Sequence, residues 1–138
     1  MSLPEVEVAN ILANDEKLMQ KMASLRIDKL GYDPVFTGTP KDEFIKASSA
    51  PWIRVTAIPG DNATFSDDAR LFDYPRVQVD FWIRKEKMPY LEDIQQRIYD
   101  TLHSHDYERY YLDRYADPDL DGCIMVTANF EGFRTEGE

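Results

Sequence analysis

Between Val77 and Ile83 apolar side chains fall on alternate residues, Val77, Val79, Phe81 and Ile83, while Gln78, Asp80 and Arg84 take the other face with Trp82 among them. A period of two in a run rich in β-branched and aromatic residues predicts a half-buried strand. After the charged turn from Arg84 to Lys87, Pro89 suits a first helical turn, and Leu91, Ile94, Ile98 and Leu102 recur at steps of three and four. That spacing predicts one face of an amphipathic helix. Glu92 and Asp93 lie at its positive end, and His103 and His105 follow its close. A strand that feeds a helix packing back on its own sheet is the expected core.

Towards the N-terminus, Val8, Ile11, Leu12, Leu18, Met19 and Met22 follow helical spacing, interrupted by the polar Asp15. With Ser2 and Glu5 spaced as a capping box, they predict one helix running to about Ala23. Met19 and Met22 read as core filler and not as ligands. From Ser24 to Ala50 the glycines and prolines mark connection, although Thr39-Pro40 suits the start of a short helix through Phe44 to Ala47. A second strand follows in WIRVTAI, where Ile53, Val55 and Ala57 alternate with Arg54 and Thr56, and it ends at Pro59-Gly60.

The stretch from Pro59 to Pro75 is long, polar and acidic, with Asp61, Asp67, Asp68 and Asp73 around Phe65, Leu71 and Phe72. It is expected to project as an arm between two antiparallel strands. Tyr107, Tyr110, Tyr111 and Tyr115 stand among charges, which suits a sheet margin or an interface. The turn Asp121-Gly122 leads into the strand CIMVTANF, and residues 131–138 are Gly- and Glu-rich and expected to fray. The fold class is therefore α+β: one domain over 1–138, with a small, mostly antiparallel sheet packed against two helices and a long acidic arm between its first two strands.

A chain of 138 residues, 43% hydrophobic, is enough for one core and too little for two. No apolar run approaches membrane-span length and no signal-peptide pattern begins the chain, so a cytoplasmic site of synthesis is expected. The single Cys123 has no internal partner and reads as a small buried hydrophobe; the acceptor pattern Asn62-Ala63-Thr64 means little without secretion. The net charge of −10, from 26 acidic against 16 basic side chains, repels nucleic acid.

Candidate chemistry is sparse. Asp117, Asp119 and Asp121, followed by Gly122, copy the first half of a calcium-binding loop, but the twelfth position is Ala128 where a bidentate Glu belongs, and a strand follows in place of a helix. An acidic turn is the plainer reading. His103, His105 and Asp106, with Asp100 a turn earlier, lack further ligands at recognised spacing. No nucleophile elbow or glycine-rich phosphate loop is present, so neither a catalytic residue nor a cofactor is expected.

The segments WIRVTAIPGD, RVQVDFWIRK leading into LEDIQQRIYDTL, and IMVTANFEG resemble, in order and spacing, the tail terminator or tail completion proteins of long-tailed bacteriophages and prophages. The resemblance spans roughly Pro51 to Gly132. It implies a structural virion protein and no enzyme: a homo-oligomeric ring, a hexamer, that caps the tail tube, ends its polymerisation and meets the head connector at the head-tail junction. DNA then passes through without specific binding, Asp61, Asp67 and Asp68 face the channel, and Phe65, Leu71 and Phe72 make the subunit or partner contact. The alternatives are another head-tail connector or minor capsid component, or a small acidic metal- or ligand-binding domain.

Overall fold

A computed structural model describes residues 3–61, 63–66 and 69–135. The elements in chain order are α1 (Pro4–Ala13), α2 (Glu16–Leu25), β1 (Val35–Thr37), β2 (Trp52–Ala57), β3 (Ala63–Ser66), β4 (Ala69–Asp73), β5 (Arg76–Arg84), α3 (Leu91–His103), β6 (Tyr107–Ala116), β7 (Cys123–Gly132) and β8 (Arg134–Thr135). The class is α+β. The main sheet has the order β1-β2-β5-β7-β6, antiparallel throughout except for the short parallel pair β1-β2, and a smaller sheet has the order β3-β4-β8.

The expected strand and helix meet where their periodicities place them. Val77, Val79, Phe81 and Ile83 of β5, with Ile53 and Val55 of β2 and Val126, Ala128 and Phe130 of β7, form one face of the sheet. Leu91, Ile94, Ile98 and Leu102 of α3 cover that face together with α1 and α2. Pro89 sits in a 3₁₀ segment, Lys85–Tyr90, that leads into α3.

Four expectations change. The N-terminal helix is two helices: α1 ends at Ala13, and Asp15 accepts a hydrogen bond from the Leu18 N–H at 3.2 Å as the N-cap of α2. An aspartate competes for backbone donors and so favours a helix start over a helix interior. The residue preceding α1 is Leu3, with Pro4 in the first turn; Ser2 of the expected capping box lies outside the described residues. The half-buried strand is buried on both faces, because Phe36, Phe44, Ile45 and Ala47 fold over Trp52, Trp82 and Met125 on the side away from the helices. That covering segment holds a turn at residues 42–44 and a 3₁₀ turn, Ala47–Ser49, in place of the short helix expected after Pro40. Finally, Arg134–Thr135 do not hang free but pair with Phe72 and Asp73 as β8; residues 136–138 of the expected tail lie outside the described residues.

Candidate interaction surface

The arm is a β-hairpin. β3 and β4 pair antiparallel, with a bulge where Thr64 opposes Phe72 and Phe65 opposes Arg70. β8 adds a third strand, so the strands of the arm find backbone partners within the chain. At its base the Arg134 guanidinium reaches Glu7 of α1 at 3.0 Å and Asp73 at 3.6 Å, which ties the hairpin to the helical layer. The Tyr107 hydroxyl lies buried nearby, and burial first, then the charge of Glu7, pushes its pKa well above the ordinary value.

The three apolar arm residues separate. Phe72 stacks on Phe133 with ring centroids 4.8 Å apart, and Tyr74 lies 6.0 Å from the same ring. Phe72 therefore belongs largely to the arm's own packing. Phe65 and Leu71 do not: they are 60% and 43% exposed, and the guanidinium of Arg70 lies 5.7 Å over the Phe65 ring. Phe133, 48% exposed, is an addition that the sequence did not signal, because β8 was expected to fray.

Of the acids expected to face a channel, Asp61 is exposed but engaged in a two-pronged ion pair, each oxygen 2.8 Å from an Arg70 nitrogen. Those hydrogen bonds hold its carboxyl below the usual range. Asp67 and Asp68 lie outside the described residues.

The tyrosine-rich segment is β6, an edge strand of ten residues paired on one side only, to β7. Tyr110, Tyr111, Leu112 and Tyr115 are 40–50% exposed along it. A bulge at Tyr110 and the mixed charges of Glu108, Arg109, Asp113 and Arg114 are devices that keep such an edge from indiscriminate strand pairing. On the sheet face away from the helices, the buried Asp80 accepts from Arg54 at 2.8 and 3.1 Å and from Gln78 at 3.0 Å.

Of the candidate metal residues, Asp117, His103 and His105 have partners within the fold. Asp117 accepts from the Trp82 indole N–H at 2.7 Å and from the Asp119 backbone N–H at 2.9 Å, which makes the loop a cap over the Trp52-Trp82 stack. Asp121 precedes Gly122, whose φ of +85° serves the turn into β7. His103 meets Glu108 at 3.0 Å and stacks on Tyr99, while a His105 ring nitrogen lies 2.8 Å from the Thr101 carbonyl. Among the described residues no group of three His, Cys, Asp or Glu side chains is placed to hold a metal. Cys123 is fully buried, and burial first, then Asp117, pushes its thiol up to about 11, so it is not a reactive nucleophile.

No family model matches the chain, and no curated protein is similar to it. A solved structure with no functional name shares 12% identity at a TM-score of 0.49, over 100% of this chain and 98% of its own. A likeness at that level says nothing of function.

Proposed function

We propose that this chain is a structural subunit of a phage or prophage tail: a ring-forming tail terminator that caps the tube, stops its growth and joins tail to head. The observation that carries the reading is the arm. It is ordered by its own backbone pairing, yet it holds Phe65 and Leu71 out into solvent, while the main core closes without them. Exposed apolar side chains on an ordered projection mark a docking element, since a monomer gains nothing by showing them. The order of strands and helices that carries the family resemblance supports the same reading, and the net charge of −10 suits a conduit past which DNA slides without adhering.

The experiment is a Phe65→Ser/Leu71→Ser double variant, which spares the Phe72-Phe133 stack. Its circular dichroism should match the parent, while rings fail to form and tails in a complementation assay grow beyond normal length. Rings and normal tails from a folded variant would sink the arm as the contact. The broader triple variant that adds Phe72→Ser should also loosen the arm itself.

A further inference from the structure

A cleft of about 740 Å³ opens where α1, the start of α2 and the C-terminal half of α3 meet. Asn10 of α1 and Asn14 just past its end line one wall, Lys17 stands in the first turn of α2, and Arg97 and Thr101 stand one turn apart on α3. Asp15 lies at the base, its side chain 4% exposed.

What such a cleft can hold depends on which groups still have hydrogen bonds to make. Asp15 is satisfied, since it already accepts from Arg97, Thr101 and the Leu18 N–H. Glu7 is engaged by Arg134. Arg97 uses Nε and one N–H of Nη2 on Asp15. The planar guanidinium keeps Nη1 and the outer N–H of Nη2 as a second fork, turned away from Asp15 and held in place by the bonds behind it. Lys17 has no ion-pair partner, and the side-chain amides of Asn10 and Asn14 have no hydrogen-bond partner, among the described residues. His105 gives its Nδ1–H to the Thr101 carbonyl, which leaves Nε2. Against these donors stands a single unpaired acid, Glu16. On a chain with a net charge of −10, a cleft whose free groups are chiefly donors is the exception.

We propose that this cleft binds the phosphate group of a small phosphorylated molecule, with the outer fork of Arg97 on its oxygens, the Lys17 ammonium beside it and the Asn10 and Asn14 amides donating from the opposite wall. A tetrahedral anion accepts hydrogen bonds from several directions at once, and the donors here converge from three helices, whereas a carboxylate accepts in one plane. Because Asp15 already fixes the guanidinium, binding does not have to order a free arginine side chain. The cleft is larger than a phosphate ion, which leaves room for the organic part of the ligand. The inference is independent of the arm and of any ring.

The test is a titration of the isotope-labelled full chain with inorganic phosphate and with glycerol phosphate, against acetate at matched ionic strength, followed by nuclear magnetic resonance. The side-chain signals of Asn10, Asn14 and Arg97 should shift and saturate with both phosphates, more tightly with glycerol phosphate, and should stay still with acetate. K17Q leaves the Asp15-Arg97 pair in place, so it should weaken binding about fivefold with an unchanged melting temperature, and E16Q should tighten it. Shifts that never saturate, that acetate reproduces, that K17Q leaves unaltered or that arise at Arg109 and Arg114 instead would overturn the proposal. Saturation by inorganic phosphate alone would reduce the cleft to an ion site and overturn the organic ligand.

Discussion

Asp15 shows how one side chain sets local architecture. Its carboxylate caps α2 and receives two hydrogen bonds from Arg97 at 2.8 Å and one from Thr101 at 2.5 Å, so it fastens the helix start to α3. Burial pushes its pKa up, but the bonds from Arg97, Thr101 and the Leu18 N–H outweigh that and bring it to about 2. A folded-state pKa below the unfolded value of about 3.9 contributes stability that is fully present above pH 4 and is lost as pH falls towards 2. The shift is worth about 2 kcal/mol. Asp15→Asn should therefore lower stability by about that much at neutral pH, and urea titrations from pH 5 to 2 should show a shallower acid loss than in the parent. A parallel pH profile for the two proteins would show that the carboxylate is not the titrating group. Within a helical stripe the sequence marks Asp15 only as a polar exception. Its role depends on Arg97, 82 positions away, and no local pattern reveals such a partner.

At the scale of elements, what was legible is what periodicity encodes. The odd-numbered positions of β5 and the stripe of α3 are read directly from spacing because each buries one face on the same core. Phe81, 3% exposed on that face, should cost about 3 to 5 kcal/mol when cut to alanine, seen as a lowered midpoint in chemical denaturation. What stayed illegible is what depends on long-range pairing. β1 is three residues long and parallel to β2, β8 is two, and the arm's strands are too short and polar for alternation to stand out. Close approach is equally invisible in sequence: a Cβ at Gly132 would lie 2.6 Å from Tyr107 Cε1. Gly132→Ala should destabilise by about 1 to 3 kcal/mol, since the buried ring has little room to retreat; an unchanged melting temperature would mean that Tyr107 can shift.

At the scale of the whole molecule, the acidic loop and the arm have different roles. Asp117 is bound to Trp82, so added calcium or chelator should leave the melting curve unmoved, whereas a site held at a hundred times its dissociation constant would add about 2.7 kcal/mol. A calcium-dependent rise would revive the ligand-binding alternative. Phe65 and Leu71 stand out in the sequence as apolar residues in a polar stretch, but the Phe72-Phe133 stack needs the assembled arm.

The attachment of the arm to β8 has one more consequence. β8 and Arg134 join the hairpin to α1 only after the last strand of the main sheet is complete, and the main core draws nothing from them. A protease that trims the chain just past Gly132 should therefore leave a folded body whose hairpin has lost its third strand and its guanidinium tether. Such a clipped protein would melt near the intact temperature, with Phe72 deprived of the Phe133 ring that it stacks on.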